Sequence, residues 1–249
     1  MLRGMAALRT LWRALLSIYE ETLTLVGANL AWVVLNVPVV LVLAAIGLPI
    51  LGSGEEGSQW LLAVIAWMLL LLPTPASIGL GGLAQVAAGP DVPRIRLFWA
   101  TLRGQWRLGL KCMLLSVAVA AALLGNVYFY AVVSTGWLRF AAVLWLYGAL
   151  FWLAMHIYLV PLLVHVSEPR LVDLYRRAAL IALGHPLYTL LILVAVLIVG
   201  LVCIVFLPAY LLVGGSYVAM VQAHAFREIR RRHGDLVLET ETDDEGVKL

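Results

Sequence analysis

Long charge-free apolar runs alternate along this chain with short clusters of charge. No Asp, Glu, Lys or Arg occurs from Thr22 to Gly54, from Gly57 to Pro90, from Cys112 to Leu138, or from Phe140 to Ser167. A fifth gap runs from Ala178 to Phe226. About 20 helical residues cross a hydrocarbon core of about 30 Å, so each of the first four gaps holds one span. The fifth is too long for one and divides near Ile204–Ala209, where Pro208 is followed by Gly214 and Gly215. Helices are the default, because an open strand in lipid leaves peptide groups unpaired. The pattern predicts six transmembrane helices over 23–48, 59–84, 112–134, 140–165, 186–205 and 208–227.

The charged clusters have a pattern of their own. Over 1–22, Leu8, Trp12, Leu15 and Tyr19 share one helical face while Arg9, Arg13, Ser17 and Glu20 take another. Over 93–110, Ile95, Trp99, Leu102 and Trp106 oppose Arg96, Arg103, Arg107 and Lys111; over 169–184, Leu171, Leu174, Tyr175 and Ala178 oppose Arg170, Asp173 and Arg177. This is amphipathic-helix periodicity, and Arg with Trp suits an anionic lipid interface. The expected fold is an all-α integral membrane protein of three hairpins. Each hairpin is preceded by an interfacial helix on the cytoplasmic side. A plainer reading is that the inner loops of any six-span protein become amphipathic at a membrane. Beyond the 23–233 membrane domain, 234–249 reads as an acidic, disordered cytoplasmic tail, with five acids between Glu239 and Glu245.

Composition agrees with the spans and orients them. The chain of 249 residues is 63% hydrophobic and 12% charged, with mean hydropathy +1.00. Soluble domains carry about 25% charged residues, so a water-soluble globule is excluded. With both termini cytoplasmic, 16 of the 17 basic residues fall inside and Arg139 alone falls outside, as the positive-inside rule requires. Five spans would export the Arg227–Arg232 cluster. Arg3, Arg9 and Arg13 spread along a periodic helix, which is unlike a cleavable signal. The two cysteines, Cys112 and Cys203, fall near opposite faces and are not expected to pair.

The predicted spans hold no carboxylate or ammonium group, which argues against a proton-driven transporter, an ion pump or an intramembrane aspartyl protease. The polar residues left inside or beside them are Asn29, Asn36, Gln85, Asn126, His156, Gln222 and His224. Asn29, Asn36, His156 and Gln222 are candidates for a polar cavity open to the cytoplasm. The competing reading is interhelical hydrogen bonding. His156, His165, His185, His224 and His233 lack metal-ligand spacing, and no nucleophile elbow, phosphate loop or dinucleotide fingerprint appears. No catalytic residue, cofactor or metal is expected, and the chain does not read as an enzyme. The run Ser77–Gly82 fits close helix packing by small residues, and Pro73-Thr74-Pro75 should bend the second span. Trp60, Tyr128, Tyr130, Trp137 and Tyr210 are expected at the outer interface, with Trp12, Trp99, Trp106, Tyr175 and Tyr188 at the inner one. Arg9, Arg13, Arg96, Arg103, Arg107, Lys111 and Arg177 are the expected contacts to anionic lipid headgroups. Lipid, not nucleic acid, is the partner that this charge pattern fits.

The stretch Trp12 to Val40 contains Tyr19-Glu20-Glu21, Asn29-Leu30-Ala31-Trp32 and Asn36-Val37-Pro38-Val39-Val40. Together with the block Phe98-Trp99 to Lys111, it resembles the YesL-like family of bacterial multi-pass membrane proteins. The sequence departs from that family at Leu41–Ala44, where a small, Thr-containing stretch is usual, and Pro73-Thr74-Pro75-Ala76 is the candidate counterpart. The resemblance implies the bacterial plasma membrane, a six-span plan and a non-enzymatic accessory role in carbohydrate uptake beside sugar-transporter membrane subunits. It supplies no catalytic residues. A small-solute or lipid transporter or channel using the polar cavity is the alternative.

Overall fold

The computed structural model describes residues 8–14, 16, 22–51, 68–166 and 170–233. All regular structure among the described residues is helical. Residues 8–14 are the described part of α1 and 68–71 that of α3. The other helices are α2 (Thr22–Leu51), α4 (Pro75–Ala87), α5 (Ile95–Tyr128), α6 (Ala141–His165), α7 (Leu171–Gly184), α8 (Pro186–Val205), the single turn α9 (Leu207–Ala209) and α10 (Gly215–His233). π-helical turns at Phe129–Val133 and Tyr210–Gly214 follow α5 and α9, and a 3-10 turn at Gly136–Phe140 leads into α6.

Among the described residues, four stretches are long and apolar enough to cross a bilayer: Thr22–Gly47, Ile95–Val133, Gly136–His165 and Pro186–Cys203. The other two predicted spans look different. Of 59–84, residues 59–67 lie outside the described residues, and the rest is broken rather than bent at Pro73. Helix α3 ends at residue 71, and Thr74 is extended (φ −69°, ψ 159°) before Pro75 opens α4. Two prolines remove two donors and push the residue before each of them out of the helical region. Thr74 then caps the new helix, its hydroxyl oxygen accepting the Ser77 N–H at 3.1 Å. Over 208–227 a π turn separates α9 from α10, and the end of α10 carries Arg227, Glu228, Arg230 and Arg231.

A boundary also needs correction. The interfacial helix expected over 93–110 and the span expected over 112–134 are one unbroken helix, α5. Gly104 and Gly109 each cost the helix about 1 kcal/mol but do not end it, and no proline intervenes. The 39 residues from Ile95 to Val133 rise about 58 Å, nearly twice the hydrocarbon thickness, so part of the helix stands outside it. The charges of Arg96, Arg103, Arg107 and Lys111 identify that part. Helix α7 is a separate element, closed at Gly184 and His185 ahead of Pro186. Of the element expected over 1–22, residues 8–14 are helical. The predicted tail, 234–249, lies outside the described residues.

Burial is polarised along the long helices. Helix α6 is buried from Met155 to Leu163, whereas Ala141 to Ala154 are half-buried or exposed. Helix α5 buries Phe98, Gly109, Cys112 and Ser116 and nothing further on. Helix α4 is buried throughout Ala76–Ala84, between α2, α5, α6 and α10. The packed core therefore sits at the arginine-bearing end, and the far halves of α5 and α6 present Leu124, Val143, Leu144 and Tyr147 outwards. Lipid tails are as apolar as leucine, so such a surface costs nothing in a bilayer. Gly79 and Gly109 allow the tight α4–α5 contact: an added Cβ would lie 3.0 Å from the Phe98 carbonyl oxygen and 2.5 Å from Ile78 Cδ1, respectively.

Three expected interfacial aromatics are core residues instead. Tyr175, Tyr188 and Tyr210 are buried. For Tyr175 and Tyr188 the reason is a polar partner for the hydroxyl: Tyr188 meets Thr10 Oγ1 at 2.9 Å, and Tyr175 donates to the Cys112 carbonyl at 3.0 Å. The Tyr210 ring packs on Trp32, with centroids 5.9 Å apart.

Candidate functional site

Asn29, Asn36, His156 and Gln222 are all buried, but they are divided between different helix crossings. Asn29 serves the contact between α2 and the π turn before α10. Its Nδ2 donates to the carbonyls of Tyr210 at 3.0 Å and Leu211 at 2.7 Å, and its Oδ1 accepts the Ser216 N–H at 2.9 Å. A π turn disturbs the regular i to i−4 ladder and frees backbone groups; one carboxamide, with two donors and an acceptor, matches what is freed. Ser216 returns the contact by donating its hydroxyl to the Leu25 carbonyl at 2.8 Å. Gly215 makes this approach possible, since a Cβ there would lie 2.9 Å from both Asn29 Oδ1 and the Trp32 ring.

Asn36 sits two turns further along α2 and donates to the carbonyl of Trp32 at 2.8 Å; its Oδ1 has no hydrogen-bond partner among the described residues. Trp32 in turn donates its indole N–H to Ser77 Oγ at 3.0 Å. Gln222 belongs to a second place, where its amide reaches the His156 carbonyl at 3.3 Å. A cavity of about 10 Å³ touches Trp32, Ser77 and Gln222. That is no more than about one water in size.

The His156 side chain points the other way, into a polar chain that joins α6, α5 and α7. Nδ1 lies 2.7 Å from the Trp152 carbonyl and Nε2 lies 2.9 Å from Ser116 Oγ; Ser116 Oγ lies 2.8 Å from the Tyr175 hydroxyl. A carbonyl only accepts, so Nδ1 carries the proton, and a neutral ring takes the Ser116 hydroxyl at Nε2. The single Tyr175 proton then faces two acceptors, Ser116 Oγ and the Cys112 carbonyl. Burial pushes the Tyr175 phenol up to about 12, so it remains a donor near neutral pH. Its ring stacks on Trp152 at 5.1 Å and 3°.

One side of this chain borders a cavity of about 350 Å³ between residues 68–72 and helices α5 and α6, touching α8 at Leu197. Apart from Ser116, Trp152 and His156, its lining is aliphatic or thioether, including Met68, Leu123 and Leu197. Sequence reasoning singled out His156 but missed Ser116 and Tyr175. The available signal was a hydroxyl inside an apolar run, at Ser116, seven residues before Leu123.

Of the expected headgroup contacts, Arg9, Arg13, Arg96, Arg103, Arg107 and Lys111 are exposed, and Arg177 is half-buried. Trp106 carries the Arg107 guanidinium 5.5 Å above its ring, a cation–π contact at the same surface. Arg227, at the end of α10, instead holds backbone: its two terminal nitrogens donate to the carbonyls of Ala88 at 2.5 Å and Gln85 at 2.6 Å. These carbonyls end α4, where a cation also meets the negative end of the helix dipole. Both cysteines are free and buried. Among the described residues, no three His, Cys, Asp or Glu side chains converge as a metal site would require. No family model matches the chain, and no curated protein or solved structure matches it either.

Proposed function

We propose that the chain is a non-enzymatic membrane accessory of a bacterial carbohydrate-uptake system, acting by association with a transporter's membrane subunits. In this reading it crosses the plasma membrane six times, with 59–84 and 208–227 as the second and sixth crossings and both ends cytoplasmic. The observation that supports it most is how the intramembrane polar groups are used. Asn29 and Gln222 reach backbone carbonyls across helix crossings, and His156 meets the Ser116 hydroxyl of α5, which is packing chemistry, not a hydrated path. The carbohydrate connection comes from the likeness of Trp12–Val40 and Phe98–Lys111 to the YesL-like family. Affinity purification from native membranes should recover a sugar-transporter subunit in stoichiometric amount. A preparation that stays free of partners argues against the role.

A second reading, transport of a lipid or small solute, draws on the cavity beside His156 and Ser116. It predicts that Ser116→Ala with His156→Ala abolishes uptake in reconstituted vesicles. Unchanged flux removes it.

A further inference from the structure

A second cleft, at the arginine-bearing end, lies between α1, the end of α4 and the last turns of α10. Its volume is about 280 Å³, and it is lined by Arg9, Thr10, Arg13, Ala88, His224, Arg227, Glu228 and Arg231. Four guanidiniums thus face one carboxylate. Glu228 is occupied by Arg231 at 3.1 Å, and Arg227 is occupied by the α4 carbonyls. Arg9 and Arg13, one helical turn apart, add their charges from the opposite wall.

Helix α1 is oriented for this. Thr10 and Ala14 are buried against the bundle, with Thr10 tied to Tyr188. Leu8 and Trp12 are exposed on a second face. Arg9 and Arg13 lie between the two faces and line the cleft. A guanidinium cluster is suited to phosphate oxygens through paired N–H donors, and the exposed Leu8–Trp12 face is the kind that sinks into a lipid interface. The volume is at the small end for ligand pockets, right for a headgroup and not for a large cofactor.

We propose that this cleft binds a phosphate group, with Arg9 and Arg13 as the main contacts and Arg231 as a third. The phosphate can arrive on an anionic phospholipid headgroup or as free phosphate. The site stands apart from the accessory role and survives its failure.

The test uses the purified full chain in neutral detergent at fixed ionic strength. It is titrated with dihexanoyl phosphatidylglycerol and, separately, with inorganic phosphate, by calorimetry. At least one probe should bind saturably at a single site, and Arg9→Gln with Arg13→Gln should weaken it tenfold or more. Arg170→Gln with Arg176→Gln, exposed at the start of α7 and away from the cleft, should change it less than twofold. Tenfold tighter binding of the phosphatidylglycerol assigns the site to lipid, and equal affinities assign it to free phosphate; either keeps the proposal. Circular dichroism and gel filtration check that the variants fold. If the first pair does not, Arg231→Gln, on a side chain 61% exposed, should weaken binding at least threefold. Absence of saturable binding by both probes, or equal losses from the two Arg pairs, overturns the proposal.

Discussion

Asn29 accepts the backbone N–H of Ser216 at 2.9 Å across 187 residues of sequence. The same side chain donates to the carbonyls of Tyr210 and Leu211, so one carboxamide ties the first third of α2 to the π turn ahead of α10. Asn29→Leu removes all three bonds and leaves two carbonyls and an amide facing an apolar side chain. At about 0.6 kcal/mol per interhelical contact in a membrane protein, the loss is at least about 2 kcal/mol; uncompensated burial of the backbone groups adds to it. A denaturant titration in detergent measures this. A midpoint equal to the native one would mean that the π turn finds its partners elsewhere.

Two glycines offer a matched comparison. Gly215 is pressed against Asn29 and Trp32, whereas a Cβ at Gly104 in α5 meets nothing within 4 Å. Gly215→Ala should therefore lower the thermal midpoint, because a buried indole and its neighbours must move. Gly104→Ala should leave the midpoint unchanged or raise it, by up to about 1 kcal/mol of helix propensity. The reverse order would contradict the tight α2–α10 crossing.

Ser116 and Tyr175 are joined at 2.8 Å, and the pair connects His156 on α6 to α7. Ser116→Ala and Tyr175→Phe should each destabilise the protein. Because both delete parts of one chain of hydrogen bonds, their combined cost should fall short of the sum by about 0.5 kcal/mol or more. A double-mutant cycle on thermal unfolding in detergent gives the coupling, and strict additivity would show that the hydroxyls act separately.

How much of this could be read beforehand depends on which physical term decides each feature. The all-helical character and the four long apolar helices follow from charge-free runs, since lipid leaves the backbone little choice. The burial of Asn29 and His156 followed from their place in such runs, but their partners did not. Asn29 is bonded to residues more than 180 positions away, at a π turn where Pro208, Gly214 and Gly215 mark a break in the run but not its partner. The role of Tyr175 was misread for a related reason. Its position beside Arg176 and Arg177 suggests an interface anchor, and only the packing of α7 on α5 brings its hydroxyl to Ser116. The unity of α5 was missed because a change from basic to apolar composition at Lys111 looks like a boundary, although nothing in the backbone stops there. Arg227 counted as one more inner-surface charge until the end of α4 met it.

We propose that the packed, arginine-bearing end faces the cytoplasm, with the α5–α6 connection on the other side of the membrane. Cysteine-accessibility mapping in intact cells tests this most directly, using single cysteines at Arg9, Thr135 and Arg231 in a background lacking Cys112 and Cys203. A membrane-impermeant maleimide should label only the cysteine at position 135, and the other two should react only after the membrane is permeabilised. Labelling of position 9 or 231 in intact cells, or protection of position 135, would contradict the arrangement.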